Sequence, residues 1–314
     1  MRTGGNLRIK VPSPLWGGLG RGAPSPNPSH EGRGIDPVDL PIVRPKGDKS
    51  TNNKPIGVFD SGLGGLTVMK ELIRQLPLED IVYYGDTARV PYGTKSRESI
   101  IRFSIENTEV LLSHKVKMVV VACNSCSSYA LKALKKKFRI PIIGVIRPGV
   151  KRAVEVSRSG RIGVAATQAT VASGEYVKMV RRFSKDMKVF ARACPLFVPL
   201  AEEGWFHKSA ALTIAEEYMR PLKQAHIDTL ILGCTHYPLL KDIIQKAVGP
   251  DVALVDSAQE VAGEVKTLLT ASGNRKLRGK AGRHKFLVSD RPQGFREIAR
   301  RFLGRDIRVV SQRS

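Results

Sequence analysis

From Lys54 onward the chain alternates short apolar runs with longer amphipathic stretches. The runs Ile56–Phe59, Ile81–Tyr84, Met118–Ala122, Ile142–Val145, Ile162–Ala165, Val189–Ala193, Thr229–Leu232, Ala253–Val255 and Phe286–Val288 are predicted as strands. Several are β-branched and lack polar alternation, the pattern of strands covered on both faces. The stretches Leu66–Leu76, Arg97–Lys115, Ser127–Phe138, Tyr176–Phe183, Ser209–His226, Leu239–Val248 and Ala258–Leu269 are predicted as helices. Such alternation implies an α/β protein with doubly wound, mostly parallel sheets. In open sheets of this type ligands sit at the carboxyl ends of strands, where the polar clusters of this chain fall.

Two strand ends echo each other. Val119-Val120-Val121-Ala122-Cys123-Asn124-Ser125 and Thr229-Leu230-Ile231-Leu232-Gly233-Cys234-Thr235-His236 each pass from an apolar run through a small residue to a cysteine and two hydrogen-bonding side chains. The cysteines are 111 positions apart, about one α/β half-protein. The expected architecture is two doubly wound, mostly parallel-sheet domains related by a pseudo-two-fold axis, with an active site in the cleft between them. Residues 54–148 with about 262–314 are expected to form the first domain and 149–261 the second.

Residues 1–53 differ: Pro, Gly and Ser dominate without apolar periodicity, so the segment cannot offset its ordering entropy. It is expected to be disordered, either a genuine extension or the product of a start site placed too far upstream. No apolar run approaches the ~18 residues of a membrane span. Met1–Pro14 lacks the apolar stretch of a signal peptide. A cytoplasmic protein with no membrane partner is the default expectation.

The net charge of +24 raises the question of nucleic acid. Residues 271–314 hold thirteen Lys/Arg against three Asp/Glu, and residues 1–53 eight against four. A basic terminal face suits phosphate backbones. However, no helix-turn-helix, zinc finger or aromatic-interleaved basic motif accompanies it, so a solvated basic surface is preferred.

Four cysteines in 314 residues do not make a disulfide framework. A thiol with a pKa near ~8.5 becomes a base at pH 7 for about 2 kcal/mol, which a helix N-terminus or a nearby imidazolium can supply. Cys123 and Cys234 both precede helices, His236 follows Cys234 by two positions, and Asp60 ends the first strand. Each of these two neighbours is positioned to tune or relay a proton for one thiol. The loop Asp60-Ser61-Gly62-Leu63-Gly64-Gly65-Leu66-Thr67 departs from both nucleotide-binding glycine patterns. It suits a small carboxylate or amino acid, with a purely structural turn as the alternative. Arg89-Val90-Pro91-Tyr92-Gly93-Thr94 is either a ligand-contacting turn or a bland one. Cys123-Asn124-Ser125-Cys126 is formally a dithiol redox motif, but that leaves Cys234-Thr235-His236 without a role. A zinc site from Cys123, Cys126, Cys234 and His236 lacks a second spaced ligand pair. No lysine at these strand ends is placed to form a Schiff base, so no cofactor is expected.

Taken in order, Asp60-Ser61-Gly-x-Gly-Gly-Leu-Thr, Pro91-Tyr92-Gly93, Ala122-Cys123-Asn124 and Gly233-Cys234-Thr235-His236-Tyr237-Pro238 closely resemble the glutamate racemase family. Cys194-Pro195-Leu196-Phe197-Val198-Pro199-Leu200 and Arg301-Phe302-Leu303-Gly304 are similar to it as well, and the resemblance runs from about Lys54 to Val310. It implies a cofactor-independent enzyme, often dimeric, interconverting L- and D-glutamate for peptidoglycan. Cys123 and Cys234 would alternate as base and acid, with Asp60 assisting the first and His236 the second. Ser61, Pro91, Tyr92, Gly93, Asn124, Ser125, Thr235 and His236 would bind substrate alongside Asp60, with Thr167 and Thr170 in a further contacting turn.

The chain departs from the family pattern at Ser125, where threonine is usual, and at Cys126, where a small residue is common. It departs also at Arg147 and at Ala165-Ala166. Cys126 is expected to face its own helix as a bystander. Aspartate racemase, with the same chemistry on a shorter substrate, is the near alternative. A non-catalytic basic binding protein is the distant one, and it would have no need of two matched thiols.

Overall fold

The computed structural model describes residues 52–290, 292–304 and 306–312. Of the segment expected to be disordered, all but Asn52 and Asn53 lies outside the described residues.

Every position of β1 (Ile56–Asp60), β2 (Ile81–Gly85), β3 (Met118–Val121) and β4 (Ile142–Gly144) is buried, as unbroken apolar runs require. The second group of strands is β5 (Arg161–Ala166), β6 (Lys188–Ala193), β7 (Thr229–Gly233) and β8 (Ala253–Asp256). The chain then returns with β9 (His284–Val288) and β10 (Val309–Ser311). All pairings are parallel. They give a six-stranded sheet in the order β10-β9-β2-β1-β3-β4 and a four-stranded sheet in the order β6-β5-β7-β8.

The orders β2-β1-β3-β4 and β6-β5-β7-β8 are one winding written twice. Cys123 follows β3 and Cys234 follows β7, which hold the same place in that winding. The echo between the two sequence segments is therefore a topological equivalence.

The connecting helices are α1 (Leu66–Gln75), α2 (Arg97–Ser113), α3 (Asn124–Tyr129), α4 (Leu131–Lys137), α5 (Ile146–Val156) and α6 (Gln168–Ser173). They continue with α7 (Glu175–Phe183), α8 (Phe197–Glu202), α9 (Ser209–Gln224), α10 (Lys241–Val248), α11 (Ser257–Ala271) and α12 (Pro292–Leu303). One face of the larger sheet is covered by Leu66, Met69 and Leu72 of α1, Val261 and Val265 of α11, and Phe295 and Phe302 of α12. The other is covered by Ile100, Phe103 and Leu111 of α2 and Leu134 of α4. No helix among the described residues is long and apolar enough to cross a membrane.

The nine predicted strands are present. The predicted helix Ser127–Phe138 instead starts at Asn124, capped by Cys123, and breaks at Ala130 into α3 and α4. Helices α5, α6, α8 and α12 and strand β10 were not predicted. Pro148, Pro199 and Pro292 each stand in the first turn of the helix that contains them. Proline is tolerated there because those amides have no intrahelical acceptor to lose. Helix α12 buries Phe295, Ala299 and Phe302 while Arg296 and Arg300 are exposed. Part of the terminal basic excess is thus the solvated side of an amphipathic helix.

Candidate active site

Strand β1 delivers Asp60, fully buried, to the carboxyl end of the larger sheet. Its Oδ2 accepts the Gly62 amide at 3.0 Å, and its Oδ1 accepts the Thr235 hydroxyl at 3.5 Å. The Thr67 hydroxyl donates to the Thr235 carbonyl at 3.1 Å. The glycine-rich loop is thereby stitched to the segment that follows β7. A Cβ on Gly64 would lie 2.3 Å from Thr235 Oγ1 and 2.5 Å from His236 Nδ1, so only glycine permits this approach.

Strand β2 leads to Asp86, which accepts Arg89 Nε at 2.6 Å, the Ser289 hydroxyl at 2.9 Å and the Tyr92 hydroxyl. Asn107 Nδ2 also donates to the Tyr92 hydroxyl at 3.3 Å. That hydroxyl is committed to the protein, leaving the ring and backbone of Pro91-Tyr92-Gly93 to face a ligand.

Strand β3 ends at Cys123, whose thiol donates to Ser61 Oγ at 3.6 Å. Tyr176 donates its hydroxyl to Asn124 Oδ1 at 2.7 Å, fixing that amide. The Ser125 hydroxyl lies 3.0 Å from Thr167 Oγ1 and 3.3 Å from Thr170 Oγ1. Thr167 in turn caps α6 by accepting the Thr170 amide. Strand β7 ends before Cys234, whose sulfur is 3.8 Å from His236 Nδ1. His236 Nε2 is 3.0 Å from Glu202 Oε1 on α8, and the ring meets Phe302 of α12 edge-on at 6.1 Å between centroids.

Every sequence-predicted site residue except Asp60 and Thr170 lines a single cavity of about 130 Å³. That is well under the ~300–1,000 Å³ typical of drug-sized ligand sites, so it suits a small molecule. Asp60 sits behind the wall against Gly62 and Thr235, and Thr170 sits behind Ser125 and Thr167. Arg147 is also outside the cavity, paired with Glu264 of α11 at 2.6 Å. Glu202, Val198 and Pro199 of α8 line the cavity and were not predicted. Among the described residues no group of three or more His, Cys, Asp or Glu is placed to hold a metal ion. All four cysteines are free thiols.

The electrostatics divide the two ends. Burial pushes the Asp60 carboxyl above the usual carboxylate range, against the pull of His236 and the amides of Gly62, Gly65 and Ser61. For Cys123, hydrogen bonding from Cys126 outweighs burial and the Asp60 charge, and the thiol lies below its ordinary value. Burial alone would lower His236, but the Cys234 sulfur and the Glu202 carboxylate raise it to about 10. Cys194, packed away from the cavity, is pushed up by burial to about 12.

The His236 shift carries a stability prediction. A histidine raised from an unfolded value near ~6.5 stabilises the fold fully below that pH. The contribution is lost as pH rises through about 10. Glu202→Gln removes one of the two groups holding the proton. The His236 midpoint, followed by NMR of the ring, should fall below that of the unaltered protein, and the pH window of extra stability should narrow with it. An unmoved midpoint would show that Glu202 does not sustain the charge.

Two parallel sheets with one winding each present a thiol to a common small cavity. The chain belongs to the Asp/Glu/Hydantoin racemase family, whose profile matches residues 56–265. Among its relatives, the glutamate racemase of Geobacter metallireducens is 50% identical over 259 residues, 82% of this chain and 96% of that protein. The crystal structure of a glutamate racemase isoform from Bacillus anthracis matches with a TM-score of 0.81 at 40% identity, covering 83% of this chain and 98% of that one. The Francisella tularensis glutamate racemase, crystallised in complex with D-glutamate, matches with a TM-score of 0.78 at 37% identity, covering 84% and 98%.

Proposed function

We propose that this protein interconverts L- and D-glutamate by a two-thiol mechanism and supplies D-glutamate for peptidoglycan in the cytoplasm. The observation that carries the reading is the pair of thiols, Cys123 and Cys234, at equivalent strand ends on one cavity. One sulfur, as thiolate, takes the α-proton. The other, as thiol, returns a proton to the opposite face, and the roles reverse for the other enantiomer. The α-proton is far less acidic than a thiol, so stabilising the carbanion is the demanding step. Ser61, Asn124, Ser125 and Thr235 line the cavity and offer donors to the substrate carboxylates in a partly enclosed space. His236, protonated up to about pH 10, gives the Cys234 sulfur a cationic neighbour. Asp60 acts from behind, through Thr235 and the charge it places near Cys123.

The test is circular dichroism of L-glutamate with the purified protein, without pyridoxal phosphate and with hydroxylamine as a carbonyl trap. Loss of the signal to the racemate, with deuterium entering the α-carbon in heavy water, is expected. Equal turnover of L-aspartate would reassign the substrate, and inhibition by hydroxylamine would refute the cofactor-free reading. Light scattering should return the mass of a homodimer.

A further inference from the structure

The two-thiol chemistry gives no part to the C-terminal return of the chain through β9 and α12. That return nevertheless touches two walls of the cavity. Phe302 of α12 meets the His236 ring. Ser289, buried at the end of β9, donates its hydroxyl to Asp86 Oδ1 at 2.9 Å and accepts the Ala88 amide at 2.8 Å. Its own amide donates to the Gly85 carbonyl at 3.1 Å. The next residue repeats the clasp, the Asp290 amide donating to Thr87 Oγ1 at 2.9 Å and the Thr87 hydroxyl to the Asp290 carbonyl.

We propose that Ser289 is a positioning residue for the Pro91-Tyr92-Gly93 wall: its hydroxyl fixes the Asp86 carboxylate in the orientation that holds Tyr92. The proposal rests on the reading that this wall contacts glutamate. Ser289 itself does not line the cavity, so it reaches the substrate only through other residues.

The Asp86 side chain is fully buried and divides its two oxygens. Oδ2 accepts Arg89 Nε and the Tyr92 hydroxyl, while Oδ1 accepts Ser289. A carboxylate turns easily about its last torsion, so its orientation is set by the donors around it. Without the Ser289 hydroxyl, Oδ1 is a buried acceptor short of a partner, which is costly. Turning the carboxylate toward the remaining donors relieves that cost and moves the Tyr92 hydroxyl with it. Tyr92 opens the turn Tyr92–Thr94, whose far side has little slack. A Cβ on Gly93 would lie 2.9 Å from Thr167 Cβ, so the turn already presses on the second sheet's side of the cavity. A shift at Tyr92 is therefore passed to the substrate wall.

The test is Ser289→Ala in the full-length protein, with kcat and KM measured from L- and D-glutamate. KM should rise about five- to tenfold with kcat held within about twofold, since a binding wall serves ground and transition states alike. The loss in kcat/KM should be equal from the two enantiomers, because a racemisation has an equilibrium constant of unity. Ser289→Thr, which keeps the hydroxyl, should restore KM. In a Tyr92→Phe background Ser289→Ala should add little, because the link it acts through is already cut. If the alanine variant fails to fold, Ser289→Cys is a weak donor of closer volume. Amide hydrogen exchange supplies a readout that needs no substrate. The Lys95 amide, which donates to the Tyr92 carbonyl at 3.1 Å, should exchange faster in Ser289→Ala while the amides of β1 and β3 stay protected. Unchanged KM in an active Ser289→Ala variant overturns the proposal, whatever happens to its melting temperature. An unaltered protein that does not racemise glutamate would instead refute the proposed function, and Lys95 exchange would still decide whether Ser289 holds the turn.

Discussion

Alanine at either Cys123 or Cys234 is expected to lower glutamate racemisation by about 10²–10⁴-fold, the cost of losing a positioned acid–base group. Both directions should fail together, because in the proposed mechanism each sulfur serves as base for one enantiomer and as acid for the other. The two variants should still differ in one observable. With one thiol remaining, α-hydrogen exchange can proceed from the face that thiol reaches, with the proton returned to the same face. In heavy water, Cys123→Ala should exchange the α-hydrogen of one enantiomer and Cys234→Ala that of the other, neither yielding appreciable racemate. Exchange of the same enantiomer by both variants would contradict the placement of the thiols on opposite faces. Full turnover by either would remove the two-base mechanism altogether. The substitutions delete one sulfur each, at positions packed by neighbours from their own sheet, so the fold should survive for the measurement.

Strands were the most legible level of this sequence because their signal is local. A run such as Met118–Val121, short and β-branched, has the pattern of a strand covered on both faces. Strand β10 escaped because two of its three residues are exposed at the sheet edge. Three of the helices that were not predicted, α5, α8 and α12, carry Pro148, Pro199 and Pro292 in a first turn that accepts them. The cost fell on the site, since Glu202, the partner of His236, rides on α8. Positions that converge on the cavity were legible from their strand ends, but the wiring among them was not. Asp60 was assigned to Cys123, yet its hydrogen bonds go to Gly62 and Thr235, while the Cys123 thiol turns to Ser61. Spacing along a helix places two residues near one another. It does not reveal which neighbouring element their polar atoms choose.

The second large effect is expected at a residue with no side chain. Gly64→Ala places a Cβ 2.3 Å from Thr235 Oγ1 and 2.5 Å from His236 Nδ1. Neither neighbour can swing aside freely: Thr235 is held by Asp60, and His236 by Glu202 and Cys234. The strain must open the seam between the loop after β1 and the segment after β7, which carry Ser61 on one side and Cys234 on the other. Overpacking of this kind costs about 1–3 kcal/mol of stability, which a domain of ordinary stability survives. Catalysis is less tolerant, because a displacement near 1 Å at a reacting group costs about 10²-fold. The variant should therefore fold, melt a few degrees lower, and lose about two orders of magnitude in kcat. Gly294→Ala serves as the control, since a Cβ there meets nothing within 4 Å on helix α12. It should leave activity unchanged and raise stability by up to ~1 kcal/mol through helix propensity. Equal activity in the two variants would show that the seam has room the geometry denies it. Loss confined to Gly64→Ala would place the spacing between the two cysteine-bearing halves among the determinants of rate.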